Sequence, residues 1–137
     1  MRKYNPPSHP ILYHISDENH NNETFCPRIP QDAFNFEEED MKTPRVCVST
    51  SIMGCTRAID PGEWIWENID YYVHVPINLD ELYDSNAVFE PNEKEVPDVK
   101  STREKWILRP TKFHCIGVIH VHHPFFTKGY FNWIEKY

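Results

Sequence analysis

TPRVCVSTSIMGCTRAI, residues 43–59, is the stretch whose reading sets the fold. Val46, Cys47 and Val48 make a short apolar strand that stops in three hydroxyls, Ser49, Thr50 and Ser51. Ile52, Cys55 and Ile59 then recur at the spacing of one helix face, and a serine or threonine just before such a run is a natural N-cap. A strand that ends in small hydroxyls beside the N–H groups of a helix start can donate to a phosphate, a ribose or an amide. The same segment serves equally as a strand–helix corner with an ordinary cap. Its meaning therefore depends on the strands around it.

Upstream, residues 11–16 (ILYHIS) read as the first strand, after a polar, proline-rich arm over residues 1–10. Residues 17–23 (DENHNNE) are a polar loop, residues 25–30 an irregular extended return, and the acidic run 32–40 (DAFNFEEED) a solvated turn or short helix. Downstream, residues 60–63 (DPGE) form a turn and residues 63–68 (EWIWEN) an edge segment. Residues 71–77 (YYVHVPI) are a strong strand with Pro76 near its end, and residues 79–83 one helical turn. Residues 84–100 read as a long, charged, proline-punctuated loop. Two more strands follow at 102–108 (TREKWIL) and 112–121 (KFHCIGVIHV), and the aromatic tail 122–137 closes over the sheet. Several short strands, one or two helices and no βαβ rhythm predict an α+β fold with a mainly antiparallel two-sheet core, in a single domain spanning residues 1–137.

Composition narrows the class. The 137 residues are 39% hydrophobic and 14% aromatic, enough for one core, which Phe, Tyr and Trp largely supply. Twelve prolines against four glycines predict rigid, extended connections. A net charge of -7 argues against non-specific DNA binding, which needs a basic face, but leaves room for a small nucleotide held by local donors. Cys26, Cys47, Cys55 and Cys115 show neither a CxxC pair nor metal spacing and read as free thiols. No signal-peptide stretch and no membrane-length apolar run is seen, so the expectation is a cytoplasmic protein with no membrane partner.

Four groups can carry chemistry. His14 lies in a strand, on the face of Leu12 and Ser16 and opposite Tyr13 and Ile15, where an imidazole can bond a ligand hydroxyl or simply fill the core. The hydroxyl triplet is the second group. Glu104 is the third, a carboxylate sharing a strand face with Thr102 and Trp106. His114, His120, His122 and His123 are the fourth; His120 and His122 alternate onto one face, which His114 joins if the strand runs straight. They lack a companion carboxylate or cysteine pair, and no metal site is predicted.

Taken in order, His14, the 48–51 corner and Glu104 resemble the ADP-ribosyltransferase superfamily, closest to its histidine class of diphtheria-toxin-like and poly(ADP-ribose)-polymerase-like enzymes. In that class the first core strand carries an apolar–aromatic–His–small–Ser/Thr pattern, which Leu12-Tyr13-His14-Ile15-Ser16 resembles. A strand, small-residue turn and helix follow, matched by residues 45–59, and a glutamate then opens a late strand, as Glu104 does. The sequence departs from the class at Ile15, where glycine is usual, and the Ser49-Thr50-Ser51 triplet is more similar to the arginine class, whose first serine steadies the catalytic glutamate. Blocks such as LYHIS, PRIP and TPRVC also resemble small proteins of Gram-positive bacteria and their phages.

The resemblance implies an NAD-dependent transferase acting on a macromolecular acceptor, protein or nucleic acid. His14 would hold a ribose, with Tyr13 and Ser16 beside it. Ser49, Thr50 or Ser51 would touch ribose or orient Glu104, and Glu104 would be the catalytic carboxylate. Arg45 or Arg28 would pair with the pyrophosphate. Tyr13, Tyr71, Tyr72 or Trp66 would stack on nicotinamide. The alternative is a non-catalytic binding protein on the same fold, a phage or mobile-element inhibitor, using the aromatic tail (Phe125, Phe126, Tyr130, Phe131, Trp133, Tyr137) as its contact surface.

Overall fold

A computed structural model of the chain describes residues 9–29, 42–58 and 69–121. The acidic run 32–40, the 60–63 turn, the 63–68 segment, most of the N-terminal arm and the aromatic tail lie outside the described residues. The described chain runs β1 (His14–Ser16), β2 (Thr24–Phe25), β3 (Val46–Ser49), α1 (Ile52–Ala58), β4 (Ile69–Pro76), α2 (Leu79–Asp84), β5 (Val88–Phe89), α3 (Val99–Thr102), β6 (Glu104–Ile107) and β7 (Thr111–Val121). The strands form a four-stranded sheet, β1-β4-β7-β2, and a three-stranded sheet, β3-β6-β5. Every pairing between them is antiparallel, so the architecture is α+β with two antiparallel sheets and few short helices. Among the described residues, no helix is long and apolar enough to cross a membrane.

Tyr13 ties the sheets together within β1's own path. From His14 onward β1 pairs with β4, but Tyr13 pairs with Ser49 at the end of β3. The Tyr13 N–H donates to the Ser49 carbonyl at 2.7 Å and the Ser49 N–H to the Tyr13 carbonyl at 2.9 Å. The first strand thus leaves one sheet and enters the other within a single step. Side-chain alternation follows that step. Leu12 is fully buried in a cluster with Val46, Val48, Leu82, Ile107 and Phe113, while Tyr13 and Ile15 pack on the other side, against Tyr71, Val73 and Ile119.

The long β7 serves both clusters because it carries a bulge. Cys115 pairs with His74 and Gly117 with Val73, leaving Ile116 as the extra residue. Directly paired residues share a face, so the insertion reverses the alternation: Phe113 joins the Leu12 cluster and Ile119 the Tyr71 cluster, although both positions are odd-numbered. The strand does not run straight, and the expected alternation of His114 with His120 is broken at this point.

Two boundaries differ from the sequence reading. Residues 84–100 are not a structureless loop: they hold β5 and the start of α3, and Val96 is 1% exposed. The TREKWIL strand starts later than expected. Thr102 closes α3, Arg103 takes the left-handed conformation (φ 54°, ψ 40°) and the strand begins at Glu104. Proline punctuation hid a strand of two residues, which local pattern seldom reveals.

The strand–helix corner forms as expected, with Ser51 as the cap: its Oγ accepts the Gly54 N–H at 2.9 Å. Gly54 faces the chain entering β6. A Cβ there would fall well inside contact distance of the Thr102 carbonyl oxygen and of Ser49 Oγ. In an open helix Gly→Ala gains about 1 kcal/mol; here the clash is with backbone, which cannot rotate away. Gly54→Ala is therefore expected to lower stability by about 1–3 kcal/mol, read as a reduced urea midpoint. A rise in the midpoint would show that α1 is free to move off α3.

Candidate functional site

The register brings three of the sequence-predicted residues side by side from distant parts of the chain. Ser49 pairs with Tyr13 on one flank and with Glu104 on the other, so Tyr13, Ser49 and Glu104 form one cross-strand row over β1, β3 and β6. Directly opposed residues on antiparallel strands point to the same face.

Within that row the serine is already engaged. Ser49 is 3% exposed, and its Oγ donates to the Thr102 carbonyl at 2.6 Å while accepting the Ser51 N–H at 3.2 Å. The Thr50 N–H reaches the Arg103 carbonyl at 3.4 Å. Of the two roles open to the triplet, this geometry supports orientation: Ser49 and Thr50 grip the two residues that lead into Glu104.

Glu104 is half-buried, and its Oε2 accepts the indole N–H of Trp106. Trp106 is fully buried, with Phe89 tilted against it at 5.3 Å and the Arg45 guanidinium 4.1 Å from its ring centroid. A cation held over an indole away from water contributes about 2 kcal/mol. Arg45 is 1% exposed, donates from Nη1 to the Thr43 carbonyl at 3.1 Å and pairs through its backbone with Arg28. Arg45, expected as a pyrophosphate ligand, thus has its guanidinium buried against Trp106. Arg28, its bridge partner, has an exposed side chain.

His14 points the other way, as alternation from Tyr13 requires. Its ring lies 4.8 Å from Phe25, 5.9 Å from Phe113 and 6.1 Å from the ring of His74. Its Nδ1 is buried and has no hydrogen-bond partner among the described residues. Burial first, and then the neighbouring His74, His20 and Arg28, push its pKa down to about 3. His74 is sealed, and its Nε2 accepts the His20 backbone N–H at 2.9 Å. Nε2 therefore carries no proton, and Nδ1–H faces the His14 carbonyl at 3.4 Å. Burial lowers the His74 pKa to about 4. Ser16 lies on the same strand face as His14 but bonds to His20. Tyr71 is buried in the second cluster and Tyr72 is half-buried; Trp66 lies outside the described residues.

The thiols behave as the sequence suggests. Cys55 donates to the Tyr13 carbonyl, and burial raises its pKa to about 12; Cys115 is buried and its pKa is also raised by burial. Among the described residues, no group of three His, Cys, Asp or Glu is arranged to hold a metal ion. Comparison of the chain with protein-family models, curated proteins and solved structures finds no significant match.

Sequence reasoning missed His20, Glu23, Phe25 and His74. The DENHNNE loop looked merely polar, and only the sheet brings it onto β4 and β7. The Asn22 N–H donates to the Phe113 carbonyl at 2.8 Å, and Asn21 Oδ1 accepts the Cys115 N–H at 2.9 Å.

The two neutral histidines have a measurable consequence. Both His14 and His74 resist protonation when folded, whereas in the unfolded chain they titrate near 6.5. Above 6.5 neither state binds the proton and the pair adds no pH dependence. As pH falls from 6.5 towards 4 the unfolded state takes up protons first, and stability drops by up to about 1.4 kcal/mol per pH unit for each histidine. His14→Phe, which suits a site between Phe25 and Phe113, should make the fall in urea midpoint between pH 6.5 and 4 shallower. An unchanged slope would mean that His14 charges readily in the folded protein.

Proposed function

We propose that this chain is an NAD-dependent ADP-ribosyltransferase, with NAD as co-substrate and a protein or nucleic-acid acceptor. The observation that supports it is the Tyr13–Ser49–Glu104 row, in which the histidine-bearing strand, the hydroxyl corner and the late glutamate are neighbours through backbone pairing. The two sheets part where β1 passes from Tyr13 to His14. His14 follows Tyr13 on the opposite strand face, and in this reading its neutral ring nitrogen, buried and without a partner among the described residues, receives a ribose hydroxyl.

In this reading Glu104 is the catalytic group. Its carboxylate accepts a hydrogen bond from the ribose 2′-hydroxyl and stabilises the positive charge that grows on the sugar as the nicotinamide bond breaks. A nucleophile of the acceptor then bonds to the sugar carbon and loses its proton. Trp106 holds one carboxylate oxygen, and Ser49, through the Thr102 carbonyl, fixes the strand entry. Arg28 takes the pyrophosphate role in place of Arg45.

Nicotinamide release from NAD tests the assignment. Glu104→Gln is expected to cut turnover about 10²-fold or more while calorimetric NAD binding persists. His14→Ala is expected to weaken NAD binding about tenfold, the loss of one hydrogen bond. Full turnover by Glu104→Gln would remove the carboxylate from the mechanism. A wild-type protein that does not bind NAD would favour the non-catalytic partner-binding reading, whose aromatic tail lies outside the described residues.

A further inference from the structure

The 16–23 loop carries an arrangement that the transferase reading does not use. Ser16 Oγ lies 3.1 Å from His20 Nε2, and the other ring nitrogen, Nδ1, makes a short bond with Glu23 Oε2. With Nδ1 donating to the Glu23 carboxylate, Nε2 is the accepting nitrogen; the Glu18 carboxylate stands 3.9 Å from it on the solvent side. Ser16 Oγ accepts the Glu18 N–H at 3.2 Å and keeps its own hydroxyl hydrogen to donate to His20. A hydroxyl, a base that faces it and an acid that orients the base are the three parts of an activated serine nucleophile, recognised by geometry and not by fold.

The loop that holds these groups is anchored. The His20 N–H is tied to His74, Asn22 N–H to the Phe113 carbonyl, and the Phe113 N–H to the Glu23 carbonyl at 3.0 Å. Around it lie apolar surfaces: the Phe25 ring stands edge-on to His20 at 5.3 Å and beside His14 at 4.8 Å. His14 shares its strand face with Ser16 and packs on Phe25, closing the inner side of the loop. His20 and Ser16 are half-buried and Glu23 is exposed, so a small molecule can approach.

We propose that Ser16, His20 and Glu23 form a second site, independent of NAD, that cleaves small carboxylic esters whose acyl group rests on Phe25. Ser16 Oγ bonds to the ester carbonyl carbon as its proton passes to His20 Nε2. The C–O bond to the alcohol breaks, and His20 returns that proton to the leaving alkoxide. Water then attacks the acyl-serine, giving its proton to His20, which hands it back to Ser16 Oγ as the carboxylic acid leaves. Ser16 and His20 touch the reacting atoms; Glu23 is the positioning residue.

The test uses the whole chain without NAD and a fluorophosphonate probe, whose P–F bond is replaced by a bond from phosphorus to the serine oxygen as fluoride and a proton leave. Intact-mass and peptide analysis should show one adduct, on Ser16, with none on Ser16→Ala. His20→Gln should slow labelling about 10²-fold, and Glu23→Gln should slow it less. The His20 backbone N–H that anchors the loop survives the side-chain change, and circular dichroism checks that the variants remain folded. p-Nitrophenyl acetate should release a nitrophenol burst in the wild type alone. Absence of an adduct, an adduct elsewhere, or equal labelling rates for the wild type and a folded His20→Gln would overturn the proposal. Nicotinamide release is read on Glu104→Gln, which leaves Ser16, His20 and Glu23 in place, so the two readings fail separately.

Discussion

The two sheets are joined by the pair of backbone hydrogen bonds between Tyr13 and Ser49, with a second pair, Arg28 to Arg45, linking the chain after β2 to the start of β3. The sheets have only four and three strands, and each needs its apolar face covered. Joined at that point, the two sheets enclose the Leu12 cluster between them and place the Tyr71 cluster beneath α1. The bond pair also sets side-chain phase. A slip of one residue at Tyr13 would turn Leu12 and His14 out of the core and Tyr13 and Ile15 into it.

The same junction explains why polar chemistry collects nearby. Where β1 changes sheets, two sets of neighbours meet without a continuous ladder, and side chains must take over the bonding. Ser49 and Ser51 do so at the corner, and His74 does so for the DENHNNE loop, receiving an amide on one nitrogen and facing a carbonyl with the other. Such groups cannot be left unpaired in the interior without a cost of about 1–3 kcal/mol each. Among the described residues, His14 Nδ1 and Asn78 Oδ1 are buried polar atoms that lack such a partner.

Charge is handled economically. Among the described residues, the buried cation Arg45 lies on Trp106, and Trp106 in turn holds Glu104. The indole thus touches both the base and the acid, and its ring face takes up part of the cost of burying a guanidinium. The histidines are kept neutral by burial, so the interior around β1 carries little net charge near neutral pH.

Much of the local structure was legible in the sequence because it depends on near neighbours. The capped helix after Ser51, the His14 strand face and the β4 and β7 strands follow from spacing and side-chain type, which act within a few residues. Long-range facts were not legible. The bulge at Ile116 depends on β4 opposite it, and the burial of Arg45 depends on a tryptophan contributed by another strand. Likewise, the meeting of Ser16, His20 and Glu23 needs the loop pinned to β4 and β7, although the spacing of three polar residues was visible all along. The sequence by itself determined the strands around His14, Val46, Val73 and Ile119 and the helix after Ser51, but not β2, β5, α3 or the reversal of faces along β7. Only the tertiary structure decided which polar groups are spent holding the fold and which remain for chemistry, because a hydrogen bond's partner lies across space and not along the chain.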